Sequence, residues 1–391
     1  MTSSRYKMNR YITSLAIPMM LMTGALSAQE KIKDVEWTRV AMLQEKDGKP
    51  SLGYAGAING VSNGVLLVAG GANFPNKMPW EGGSKHYSAD IHVLERSSDN
   101  YSWIDLKNGG LPKAVAYCGS TSTDLGIVYA GGEDADGLSK AAFLLSWNTG
   151  TKTIDIKKMP ELPLALTNIG LTHLGHLVYA AGGDGQHESS NMLFCLDLDK
   201  ADATWQRLPD LPEALANASV IAQQGRIYVI GGRSKAASGI SILHNSAYMY
   251  NPSSKIWKTC AAVSDGKTSL NLSAAPGVAI GKDQIMILGG DNGEVFHQIE
   301  TYIAEIARTG DAEEKAKLLK KKNALSIHHA GFDRSILLYN TKTDHWTKLG
   351  DLPFAAQVTT TATLWDGNLV LSNGEIRPGI RTPNIMIGQF K

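Results

Sequence analysis

Cysteine is scarce in this chain: Cys118, Cys195 and Cys260 are the three among 391 residues, and none sits in a C-x-x-C pair. An odd number excludes a complete disulfide framework, and the spacing offers neither a zinc ribbon nor a redox motif. Each is expected to be a buried thiol that packs as a small hydrophobe. Charge of one sign is lacking too. Thirty-eight basic residues offset 37 acidic ones, both scattered along the chain, for a formal net charge of +1. That excludes the concentrated basic footprint of a nucleic-acid binder. A long unbroken apolar run is also missing. The stretch from Tyr11 to Leu26 is interrupted by Thr13, Ser14, Pro18 and Thr23, which argues against a membrane-spanning anchor.

That stretch has another reading. Lys7 and Arg10 precede it, and Ala25-Leu26-Ser27-Ala28 ends it with small residues. The order is that of a signal peptide over residues 1–28, cleaved after Ala28, with Met8 as good a start as Met1. No cysteine follows Ala28 to carry a lipid. The expectation is an exported protein without a membrane attachment, periplasmic where the cell has two membranes.

What the chain does have is glycine, 40 in all, many in pairs. An apolar run ends in such a pair about every 50 residues: Val65 to Gly71, Ile127 to Gly132, Leu177 to Gly183, Ile227 to Gly232 and Ile285 to Gly290. Leu369 to Gly374 is a degenerate sixth, with Asn373 in place of the first glycine. Such runs read as strands buried on both faces, and the glycines allow positive φ where the chain turns beside a crowded axis. A repeat of this period and signature predicts an all-β, kelch-type β-propeller.

Each unit carries a second landmark near its last strand. Trp103, Trp205, Trp257 and Trp346 hold the place, and Ile154 replaces tryptophan in one unit. Leu-Pro pairs follow, as at Leu111-Pro112, Leu162-Pro163, Leu211-Pro212 and Leu352-Pro353. Proline fits a connection between blades and not a central strand. Five units are complete and the last, from Phe354 onward, lacks its fourth strand. A sheet with an open edge is an aggregation liability. Residues 35–40, at the front of the mature chain, are the missing strand, so the sequence predicts six blades closed by the N-terminal strand over 29–391.

The fifth unit is too long. Between Gly290 and Ser335, Val295, Ile299, Ile303 and Ile306 recur at helical spacing, and Asp311 with Glu314 resembles a capping box. The expectation is a helical insert at about 294–325, either functional or a structural flap or contact between copies of the chain in a homo-oligomer. Its lysines are read as a solvated helix face, and His328 with His329 lacks the spacing of a metal site.

Loops at one end of a propeller's channel converge and can surround a small molecule. The segments after the glycine pairs lead to one such face. Asn73, Arg233 and Asn292 are rim candidates on that ground. The sixth segment is the richest in paired charge, with Glu375, Arg377 and Arg381 held among Pro378 and Gly379.

Asn373-Gly374-Glu375-Ile376-Arg377-Pro378-Gly379-Ile380-Arg381-Thr382 resembles the NGE-x-[KR]-PG-x-RT motif of bacterial N-acetylneuraminate epimerases, the sialic acid mutarotases. Val68-Ala69-Gly70-Gly71-Ala72-Asn73-Phe74-Pro75 is similar to that family's AGGA-x-F segment. The helical insert and the signal peptide agree. In enterobacterial members the NGE segment precedes the AGGA-x-F blade, whereas here it comes last, so the resemblance is to a circularly permuted branch. A closed ring tolerates such a permutation. The resemblance implies anomer interconversion of a sialic acid, with Glu375 as acid/base, Arg381 forking the sugar carboxylate, Arg377 in a supporting electrostatic role, and neither metal nor cofactor.

Two other functions fit a six-bladed ring. A sialidase would show the S-x-D-x-G-x-x-W box, and the turns before Trp205, Trp257 and Trp346 do not follow it. A non-catalytic periplasmic module that binds a sugar or a protein stays open at the level of sequence.

Overall fold

The apolar run ahead of each glycine pair folds as the second strand of a four-stranded antiparallel sheet, as in Val65–Ala69, where all five residues are buried. The computed structural model describes residues 32–45, 48–98, 100–106 and 109–391, and the proposed signal peptide lies outside the described residues. Six such sheets are present among the described residues. They span 58–104, 119–159, 170–208, 219–259 and 277–351 for blades one to five. Blade six combines Ala362–Trp365, Asn368–Ser372 and Asn384–Phe390 with the closing strand Val35–Met42. That strand pairs antiparallel with the last one, Val35 opposite Phe390 and Met42 opposite Asn384. The closure expected from the sequence is therefore observed, two residues longer than read.

The core is not one cluster. It is a set of apolar seams between neighbouring blades, such as Ile58, Leu67 and Val93 of blade one against Ile127 and Trp147 of blade two. Leu66 and Val68 meet Val370, Ile385 and Ile387 across the closure in the same way. Sheet faces that are apolar on both sides can be covered only by such stacking.

The tryptophan landmark has a physical reason. The indole N–H groups of Trp103, Trp205, Trp257 and Trp346 each donate to a backbone carbonyl in the preceding blade: Met42, Pro160, Pro209 and Ala261, all at 2.9 Å. Ile154 carries no such donor. Trp346→Phe removes the donor and part of the ring from a side chain that is 2% exposed. It is expected to cost about 2 kcal/mol, read as a lower urea midpoint with an unchanged slope.

A second set of bonds closes the ring at its axis. Gly56, Tyr117, Asn168, Asn217, Ala274 and Thr359, one per blade, all have left-handed backbones with φ from 52° to 64°. Each N–H donates to the carbonyl of its neighbour around the circle, from 2.7 to 3.1 Å, until Gly56 N–H reaches Thr359. The conformation is costly for side chains other than glycine and persists because the closed circle over-determines it. Gly56 is the member that could not be anything larger. A Cβ there would lie 2.6 Å from the Tyr117 ring.

The long connection in blade five forms two helices, α1 (Glu294–Arg308) and α2 (Ala312–Ile327). Asp311 caps α2, accepting from the N–H groups of Glu313 and Glu314. The apolar stripe expected along α1 does not bury as one face. Ile299 points into a cavity, while Ile303 is 51% exposed. The reason is that α1 is fastened by polar contacts: Glu300 accepts from Ser241 N–H and Oγ–H at 2.6 and 2.9 Å, and Arg308 donates to Ser238 O. On the other side Asn323 of α2 donates to Trp80 O in the blade-one loop. The insert thus bridges blade four to blade one.

Candidate functional site

Above the left-handed circle stands a second set of equivalent residues. Ala72, Glu133, Asp184, Arg233, Asp291 and Glu375 each follow a glycine pair or its Asn373-Gly374 counterpart and bridge back to the residue before the left-handed one. Five of the six are charged. Side chains from both levels wall a cavity of about 410 Å3, with Tyr117, Asn168, Asn217 and Thr359 below and Glu133, Arg233, Asp291 and Glu375 around. Phe296 and Ile299 of α1 and Ser326 of α2 form its roof, with His329 and Phe332 beyond. The insert is therefore part of the site.

Glu375 leads a short hairpin, Glu375–Arg377 against Ile380–Arg381. Gly374 starts it at φ 96°, and a Cβ there would meet Val358 O at 2.8 Å, so this turn demands glycine. The Glu375 Oε1 accepts from Gly379 N–H at 2.6 Å and lies 3.4 Å from Arg381 Nη1. Oε2 is left for the cavity.

Arg381 lies beside Glu375. Its side chain is 4% exposed and is not part of the cavity wall. Nε donates to Ala72 O at 3.3 Å, Nη2 lies 3.5 Å from Tyr117 Oη, and the guanidinium sits 4.8 Å from the Phe74 ring. It links Glu375, Tyr117 and blade one. Nη1 is buried without a hydrogen-bond partner, 3.4 Å from Glu375 Oε1.

The cations that do reach the cavity are Lys85 and Arg233. Lys85 Nζ is 2.9 Å from Glu133 Oε1 and 4.7 Å from the Tyr117 ring. Burial works against its charge, yet Tyr117, Glu133 and Tyr87 outweigh that and hold the ammonium above the ordinary lysine range. Arg233 pairs with Asp184 at 2.6 Å, and Asn168 and Ser189 also donate to that aspartate.

Of the other rim candidates, neither Asn73 nor Asn292 belongs to the wall. Asn73 is buried and donates to Gly53 O, and Asn292 accepts from Glu294 N–H at the start of α1. Arg377 lies outside the wall too, and its charge acts on His329.

Among the wall residues that were not site candidates from the sequence are Lys85 and Asp291, and His329 was considered there only as a metal ligand. His329 accepts from Gly331 N–H at Nδ1, 3.0 Å, which leaves the proton on Nε2. Burial, with Arg377, pushes its pKa down against the opposing effect of Glu375, so the imidazole is neutral. For Asp291 burial raises the pKa; Glu375 and Glu300 add to this while Gly293 N–H and His297 oppose it. The signal for Asp291 was available in the repeat, since it aligns with Glu375 directly after the glycines.

Comparison with known proteins bears on this geometry. A family model described as N-acetylneuraminate epimerase matches residues 20–154 and 159–391. The chain is 28% identical over 251 residues to an N-acetylneuraminate epimerase of Brucella melitensis, covering 63% of this chain and 62% of that one. It is 28% identical over 243 residues to one of Haemophilus influenzae, covering 62% of each, and 28% identical over 246 residues to one of Yersinia enterocolitica, covering 60% and 58%. The chain thus spans about 62% of the length of the first two relatives.

Proposed function

The chain belongs to the N-acetylneuraminate epimerase family, and on that premise we propose that it interconverts the α and β anomers of N-acetylneuraminic acid or a closely related sialic acid. The observation that carries the reading is one carboxylate, Glu375, fixed by Gly379 and Arg381 in the wall of a roofed cavity. About 410 Å3 falls within the range of about 300–1,000 Å3 usual for small-molecule sites.

The anomeric carbon of a sialic acid, C2, bears a hydroxyl, a carboxylate and the ring oxygen. Anomer exchange breaks the bond from C2 to the ring oxygen, turns the open chain about C2–C3 and recloses it on the other face. Glu375 takes the anomeric hydroxyl proton as the ring opens and returns it on closure. Arg381 holds that carboxylate in place and acts as a positioning residue. Lys85 meets the sugar carboxylate, since its ammonium is in the wall and its partner Glu133 leaves donor capacity unused. Arg233 and the floor asparagines offer donors to hydroxyl and N-acetyl groups. Breaking and re-forming the C2–ring-oxygen bond is accompanied only by proton transfers at oxygen, which side chains can supply.

The same reading includes export by residues 1–28 and action in the periplasm, ahead of sialic acid uptake and use. The basic, apolar and small-residue order of that segment supports it. No helix among the described residues is long and apolar enough to cross a membrane.

Proton NMR of purified α-anomer tests the function. The α signal is expected to decay at a rate proportional to protein concentration, above the spontaneous rate and toward the same final ratio. Binding of the sugar with the spontaneous rate unchanged would mark a non-catalytic module instead.

A further inference from the structure

We propose that Asp291 is the second proton-transfer group of this site, giving its proton to the ring oxygen while Glu375 receives the anomeric one. The proposal rests on the epimerase reading and adds the partner that serves the ring oxygen.

Asp291 and Glu375 occupy the same position in neighbouring blades, bridged to Ser273 and Val358 respectively. Both line the one cavity. Both are tethered in the same manner, one oxygen accepting a backbone N–H from its own loop: Gly293 to Asp291 Oδ1 at 2.9 Å, Gly379 to Glu375 Oε1 at 2.6 Å. The other oxygen of each makes no hydrogen bond among the described residues. What separates them is charge. Glu375 has the Arg381 guanidinium at 3.4 Å, whereas Asp291 has no ion pair among the described residues. A carboxyl beside a guanidinium and a second without a cation, both lining one cavity, are suited to the parts of base and acid.

The groups facing Asp291 act in the same direction on balance. Burial raises its pKa and is the largest effect; Glu375 from blade six and Glu300 from α1 add to it, while Gly293 N–H and His297 from α1 oppose it. Arg233, on the next blade, is already neutralised by Asp184.

The remaining wall groups are poorer acids. Neutral His329 would have to form an imidazolate, and Lys85 is held above the ordinary lysine range. Burial likewise raises Tyr117, against Lys85 and Arg381. Arg233 does not release a proton.

The step balances. The anomeric O–H proton goes to Glu375, the electron pair of that bond forms the C2 carbonyl, and the C2–ring-oxygen bond breaks. Its electron pair takes the proton of Asp291. Reclosure runs in reverse on the rotated carbonyl, so both carboxyls end as they began.

The test is the pH dependence of catalysed mutarotation, with the spontaneous rate subtracted, for the wild type, Asp291→Asn and His329→Gln. The wild type should show a rate that falls on the alkaline side, as pH rises through a carboxyl pKa raised by burial, because the acid is then lost. Asp291→Asn keeps the acceptor for Gly293 N–H. It should bind sugar within a few-fold of the wild type, lose about 100-fold in kcat and lose the alkaline limb. His329→Gln should keep that limb. A wild type active to high pH, an Asp291→Asn protein with full rate, or a limb that vanishes only in His329→Gln would overturn the assignment while leaving the epimerase reading intact. A wild type with no catalysed mutarotation would instead defeat that reading itself. If Asp291→Asn does not fold, the wild-type profile and His329→Gln still decide.

Discussion

Glu375→Gln is expected to lower kcat for mutarotation about 1,000-fold, within the range general acid–base groups supply, with sugar affinity within a few-fold of the wild type. The amide carbonyl can still accept from Gly379 N–H, so the hairpin keeps its shape. What is lost is the carboxylate that accepts the anomeric proton. Arg381 would also face a neutral partner in a place where its side chain is 4% exposed. The melting midpoint should therefore fall by several degrees, while the fold and sugar binding persist at lower temperature. A saturable titration followed by calorimetry, beside the NMR rate, separates the two effects. Full activity in Glu375→Gln would assign the anomeric proton to another group and leave the hairpin a structural role.

Most of the ring was legible because a propeller repeats its chemistry. Each glycine pair marks the same turn, and each tryptophan marks the same latch to the blade before it. Even the closure at Val35–Met42 followed from a strand count and an open edge. The wall of the cavity was harder. Asn73 and Asn292 follow glycine pairs and so looked like rim residues, but asparagine satisfies nearby backbone groups as readily as it meets a ligand. Both are used locally, by Gly53 O and Glu294 N–H. Lys85 escaped notice for the opposite reason. It comes from a loop beyond the repeat signature and becomes part of the site only because Glu133 and Tyr117 of the next blade hold it there. His329 is brought in by the turn after α2, and nothing in its sequence neighbours foretells that fold-back. Sequence period locates equivalent positions around a ring. It does not tell which side chains the tertiary structure turns inward.

Arg381 and Lys85 show how far a motif can be carried. By the motif Arg381 binds the sugar carboxylate; its guanidinium lies against Ala72 O, Tyr117 Oη, Glu375 and the Phe74 ring, with Nη1 lacking a hydrogen-bond partner. The expected consequence is a division of effects between two variants. Arg381→Ala should lower kcat about 100-fold with KM within a few-fold, because a loosened Glu375 mispositions proton transfer without touching the sugar. It should also lose about 3 kcal/mol of stability, since the Glu375 carboxylate is left without its buried partner. Lys85→Met keeps the aliphatic stem over Tyr117 and removes the charge. It should raise KM about 10- to 100-fold, the worth of one charge-assisted contact of about 1.5–3 kcal/mol, and leave kcat nearly intact. Arg381→Lys should recover part of the stability and little of the rate, because one ammonium cannot serve Ala72 O, Tyr117 and Glu375 at once. Initial rates across a range of sugar concentrations separate kcat from KM for each protein. The reverse pattern, with KM raised in Arg381→Ala and unchanged in Lys85→Met, would mean that the sugar displaces Tyr117 to reach the guanidinium, and the carboxylate would then belong beside Glu375.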